Sequence, residues 1–173
     1  MSKKYDGRLR AICAGLAILV MCICAGCEAG ETNNRLGYVT AEDLIYQGVT
    51  VGVTTEAQLQ SLLGEASRID KTESSHYYTY GSVVYRVATD TETVCQITIL
   101  GDDAKEVYPG IGVGVSVEEV LTIFPDAEIS KVDTEDQTLN IIMAPSEATD
   151  ALLYMYFDDE HRLVNKIIIN TYI

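Results

Sequence analysis

Basic residues are scarce in this 173-residue chain: 12 Lys and Arg stand against 26 Asp and Glu, for a formal net charge of −14. A polyanion needs cations to neutralise its phosphates, so nucleic acid is excluded as a partner. Histidine is scarcer still, with His76 and His161 only. Tryptophan is absent and phenylalanine occurs twice, so the aromatic content rests on eleven tyrosines. A membrane-spanning helix needs ~20 apolar residues, and the one long apolar run, Ala11 to Gly26, holds 16. What is present is a 47% apolar content, enough for a packed domain and too high for a disordered chain.

Lys3, Lys4, Arg8 and Arg10 precede the apolar run, which is the layout of a secretory signal. The run closes on Cys24-Ala25-Gly26-Cys27. This resembles the lipobox of bacterial lipoproteins, with Cys24 where that motif usually has Leu. The resemblance implies that residues 1–26 are a signal peptide and that Cys27 takes a diacylglyceryl group and becomes the mature N-terminus. It places the protein lipid-anchored at the cell membrane, facing the extracytoplasmic side. Met1 to Gly26 holds four of the basic residues and one of the acidic ones, so the mature chain carries a formal charge of −17. Cys13, Cys22 and Cys24 leave with the signal, and lipid occupies Cys27. Cys95 then has no intramolecular disulfide partner. Residues 27–37 follow as the lipidated Cys and a polar tether, whose ten coil residues span ~17–19 Å.

The remainder repeats itself. Tyr46-Gln-Gly48-Val49-Thr-Val51-Gly52-Val53-Thr54 matches Tyr108-Pro-Gly110-Ile111-Gly-Val113-Gly114-Val115-Ser116 at an offset of 62. Thr55 with Gln58, and Ser116 with Glu119, then stand at capping-box spacing. Leu59, Leu62 and Leu63, like Val120, Ile123 and Phe124, follow at helical spacing, and Gly64 or Pro125 stops each helix. Strand-type sequence comes next: 77–80, 83–88 and 94–100 in the first copy, and 138–144, 152–157 and 163–171 in the second. Weaker strands precede them at 67–71 and 128–133. Thr40 to Tyr46 reads as one more short helix, capped by Thr40. The expected fold is therefore α+β: two tandem repeats (38–104 and 105–173), each with short helices and a three- to four-stranded antiparallel meander, the helices packed on one sheet face.

The Y-x-G-[VI]-x-V-G-V-[TS] block, the capped helix ending in Leu63-Gly64 or Phe124-Pro125, and the meander resemble the repeat of the β-lactamase inhibitor protein and of SmpA/OmlA-type small envelope lipoproteins. The resemblance implies a non-enzymatic envelope module that meets partners through a sheet face and loops.

The chemistry-bearing residues agree with a non-enzyme. Asp158-Asp159-Glu160-His161 contains metal-ligand residue types, but in a hairpin turn successive side chains point apart, so no metal site is assigned. His76 beside Ser74 and Ser75 has no nucleophile-elbow motif around it. Gly110-Ile-Gly112-Val-Gly114 follows no strand of a βαβ unit and reads as a turn. Cys95 alternates with Ile97 and Ile99 as a core thiol. No cofactor is implied. The acidic turns 102–103, 133–136 and 158–160 have no calcium-loop register, and they favour a basic protein partner over an acidic one. Tyr78 and Tyr80 alternate onto one face of a strand, and Arg86 lies on the strand a hairpin at Gly81-Ser82 brings beside it. Those three are the predicted binding residues, in a protein-interaction module anchored to the membrane. The alternatives are an envelope hydrolase with an unrecognised site and a structural or assembly lipoprotein.

Overall fold

The computed structural model describes residues 37–40, 42–101, 104–134, 137–146 and 151–171. The signal segment, Cys27, the tether to residue 36 and the acidic pairs 102–103 and 135–136 lie outside the described residues. In chain order the elements are β1 (Ile45–Tyr46), β2 (Val49–Thr50), α1 (Glu56–Leu63), β3 (Arg68–Lys71), β4 (Ser75–Tyr80), β5 (Val83–Ala88) and β6 (Val94–Ile99). They continue with α2 (Val117–Ile123), β7 (Glu128–Asp133), β8 (Thr138–Met143), β9 (Ala151–Phe157) and β10 (Val164–Thr171). β3 to β10 form one eight-stranded sheet in the order β3-β4-β5-β6-β10-β9-β8-β7. Every neighbouring pair is antiparallel.

Local chemistry explains the strands. Valine, isoleucine, threonine and tyrosine dominate them, and such side chains suit a pleated surface. Gly81, at φ +59°, supplies the left-handed residue of the two-residue turn between β4 and β5. At the centre of the sheet, β6 meets β10 with Ile97 opposite Ile169 and Ile99 opposite Ile167. All four are fully buried. They share the inner face with Tyr78, Tyr85, Leu153, Met155 and Ile142. Val39, Leu44, Tyr46, Val49, Leu59, Ile111, Val117, Val120 and Phe124 cover that face.

The fold corrects the α+β expectation. Among the described residues the fold is mostly β, with two helices of eight and seven residues, and a single continuous sheet stands where two tandem units with helical layers were expected. The cover is not a helical layer. α1 buries only Leu59, and α2 only Val117 and Val120; the β1–β2 hairpin and the loops around Val39 and Ile111 do the rest. Both capping boxes form: Gln58 N–H donates to Thr55 Oγ1 at 3.3 Å, and Glu119 N–H to Ser116 Oγ at 3.2 Å. The helix expected over Thr40–Tyr46 does not form. Thr40 donates to the Asp43 carboxylate from its N–H at 2.9 Å and its hydroxyl at 2.7 Å, which closes one turn. Gln47 and Gly48 then adopt φ +53° and +80°. Two consecutive left-handed residues make a tight hairpin turn, so Ile45–Tyr46 pairs with Val49–Thr50 as strands instead.

Candidate interaction surface

The register of β4 on β5 separates the three predicted binding residues. Tyr78 lies opposite Tyr85, and Tyr77 opposite Arg86. Tyr78 therefore points to the inner face and is 1% exposed. Tyr80 follows it inward, packing partly buried against the core, its ring edge-on to Tyr85 at 5.8 Å and its hydroxyl donating to the Gly64 carbonyl at 3.1 Å. Arg86 faces the other way, with Nε donating to Ser75 Oγ at 2.9 Å. Tyr78, Tyr80 and Arg86 thus do not form one patch: the sheet itself lies between the tyrosines and the arginine.

A polar cluster closes the core beside Tyr78. The Tyr78 hydroxyl donates to the Glu56 carboxylate in the first turn of α1, and His76 Nδ1 sits 3.1 Å from the same carboxylate. Burial acts to raise the Glu56 pKa, but the hydrogen bonds from Tyr78 and His76 outweigh it and hold the carboxyl below its ordinary value. Burial and the neighbouring carboxylate push the Tyr78 phenol up to about 12. A carboxylate that accepts two donors from the sheet fastens the helix start to β4, which is a structural use of the acid.

The outer face of the sheet is different. The elements that pack on the sheet all join the core on the inner side, and among the described residues none covers the outer one. Cross-strand neighbours form rows over it. One row runs Thr79, Val84, Thr98, Ile168, Tyr154, Met143, and a second runs Tyr77, Arg86, Gln96, Asn170, Leu152. A third, shorter row is Lys166, Tyr156, Ile141. All of these are half-buried. The β4–β6 half is polar apart from Tyr77 and Val84. The β8–β10 half is apolar and aromatic, and the Lys166 ammonium rests 3.8 Å above the Tyr156 ring. Where this half ends, a groove of about 500 Å³ is lined by Leu100, Leu139, Tyr156 and Lys166 and edged by Asp158 and Asp159.

The apolar half was missed among the expected site residues, although the sequence carries a signal for it. Strands of a sheet covered on one side alternate apolar with polar. β4 to β6 largely obey that rule. Leu152-Leu153-Tyr154-Met155-Tyr156-Phe157 and Ile167-Ile168-Ile169 do not, since they put apolar side chains on both faces. The remaining sequence candidates hold local structure. His161 Nδ1 lies 3.1 Å from Asp158 within their turn, and Asp159 pairs with Lys131 at 3.3 Å. Among the described residues no group of three or more His, Cys, Asp or Glu side chains is placed to hold a metal ion. Cys95 is 2% exposed, and burial raises its thiol pKa. The Gly110 turn joins Tyr108 to Ile111, whose N–H donates to the Tyr108 carbonyl at 2.8 Å. No helix among the described residues is long and apolar enough to cross a membrane.

No protein-family model matches the chain, and no curated protein matches it either. Solved structures share its fold. An extracellular protein containing an SCP domain from Bacillus anthracis is 16% identical at a TM-score of 0.52, over 76% of this chain and 45% of that one. A DUF4309 family protein, YjgB of Bacillus subtilis, is 13% identical at 0.53, over 73% and 84% respectively. A cysteine-rich secretory protein of Staphylococcus aureus is 16% identical at 0.51, over 73% and 46%. The chain thus spans under half the length of the first and third. None of the three is a β-lactamase inhibitor protein or an SmpA/OmlA-type lipoprotein.

Proposed function

We propose that this chain is an extracytoplasmic, lipid-anchored module that binds a protein partner through the outer face of β8–β10 and performs no catalysis. The observation that carries the reading is the apolar row Ile168, Tyr154, Met143 with Tyr156 and Ile141 beside it, on a face that no element among the described residues covers. Contiguous half-exposed apolar surface of this kind marks an interaction site, and tyrosine is over-represented among interface anchors. Asp158, Asp159 and Glu160 at one end of the face suit a partner whose matching rim is basic. The signal-like N-terminus and the Cys27 lipobox support the location, as do two fold relatives described as extracellular or secretory. Two acyl chains on one cysteine hold a protein stably at a bilayer.

Two measurements test this. Mass spectrometry of the membrane-purified protein should find Cys27 as a lipid-modified N-terminus, and Cys27→Ala should leave an unlipidated precursor. A mature chain that starts elsewhere without lipid mass contradicts the anchoring. Separately, a protein retained by the wild type from solubilised membranes should be lost with Ile168→Glu at unchanged melting temperature. Losing one central anchor costs ~2 kcal/mol or more, roughly thirtyfold in affinity. Equal retention by the variant contradicts the assignment of this face.

A further inference from the structure

The edge of the sheet at β3 is written in a self-complementary way. All four of its residues, Arg68 to Lys71, are exposed, and among the described residues no strand pairs with its free side. Thr72 N–H donates to the Ser75 carbonyl at 2.8 Å, which makes 72/75 a hydrogen-bonded pair at the head of the β3–β4 ladder. Such pairs alternate in an antiparallel ladder. Asp70 with Tyr77 and Arg68 with Thr79 are therefore the next bonded pairs, and Ile69 and Lys71 turn their N–H and C=O groups outward.

We propose that β3 pairs antiparallel with β3 of a second copy of this chain, about a twofold axis through Ile69. Outward groups must meet outward groups, which leaves three registers. Centring on Lys71 sets Lys71 against Lys71, and centring on Asp70 sets Asp70 against Asp70, both repulsive. Centring on Ile69 sets Arg68 of each copy against Asp70 of the other, twice, and Ile69 against Ile69. Only that register has no like charges opposed. Arg68 and Asp70 already form an ion pair at 2.7 Å within one strand, on the outer face, and the dimer would exchange its two pairs within strands for two across the axis. Ile69, 48% exposed on the inner face, would be covered by its own copy. Charges on a short edge strand ordinarily block pairing; here their order permits one pairing and forbids its neighbours. The interface is a single strand pair, so the association is weak and concentration-dependent. It does not depend on the proposed docking of a protein on the outer face.

The test is cysteine cross-linking in the full chain, with the parent protein's own cysteines as background. Ile69→Cys should give a covalent dimer on mild oxidation, because a hydrogen-bonded antiparallel pair separates its Cα atoms by ~5.5 Å, within disulfide reach. Lys71→Cys should not, since its equivalents stand four residues out of register, ~13 Å along the strand. Adding Asp70→Arg to Ile69→Cys should abolish the dimer, and the exchange Arg68→Asp/Asp70→Arg should restore it. No dimer from Ile69→Cys, equal yield from Lys71→Cys, or indifference to the charge reversal would overturn the proposal. So would cross-linking at Ser130→Cys on the opposite edge in place of Ile69→Cys.

Discussion

Tyr78 goes into the core because its hydroxyl finds an acceptor there. Burying an unpaired phenol is costly, and the Glu56 carboxylate receives it. Two outcomes follow. Tyr78→Ala removes a fully buried ring and should cost ~3–5 kcal/mol, as large aromatic truncations do, read by chemical denaturation. Glu56 has a folded pKa below its unfolded value, so its contribution is present above the unfolded value of about 4.3 and is lost as pH falls through the folded one. The melting-temperature gap between wild type and Glu56→Gln should therefore be full at pH 7 and shrink below about pH 4. A gap independent of pH would contradict the role given to the carboxylate. None of this was legible beforehand. Alternation put Tyr78 and Tyr80 on one face, but it cannot say which face is inner until a partner strand fixes the register. The pairing of Tyr78 with Tyr85 decided it, and it sent Arg86 to the opposite side.

Elements with a local stop and start were read well, and those decided by tertiary pairing were not. The capped helices could be foreseen because hydroxyl, Gln or Glu and apolar spacing all act within one turn. Ser116→Ala should cost ~1 kcal/mol of stability, measured by urea unfolding; an unchanged midpoint would mean that the Ser116–Glu119 box is idle. The strands of both meanders fell close to their expected bounds, since β-branched runs and Gly-containing turns are local signals too. Thr40–Tyr46 failed for the opposite reason. Thr40 and Asp43 close its first turn, yet the turn at Gln47-Gly48 recruits Ile45 and Tyr46 into a hairpin whose inner side chains, Tyr46 and Val49, are buried. Two buried residues outweigh a second helical turn, which is marginal in a segment this short.

At the scale of the whole molecule, the sequence held no local sign that β6 and β10 would join two meanders into one sheet. That contact is made by Ile97, Ile99, Ile167 and Ile169 across some 70 residues of chain. It converts an expected pair of units into a single sheet with one covered face and one that no element among the described residues covers. The open face could have been inferred from apolar residues at consecutive positions in β9 and β10, a pattern that a one-sided sheet does not need. This outer face of β8–β10 is the surface proposed to receive the partner. Hydroxyl-radical footprinting of the membrane-extracted protein, free and with its captured partner, tests it most directly. Labelling of Met143, Tyr154 and Tyr156 should fall several-fold in the complex while that of Tyr38, 48% exposed outside the sheet, stays constant. Protection confined to the exposed residues of the cover, Ile45, Val53 and Leu62, with Met143, Tyr154 and Tyr156 unchanged, would contradict it.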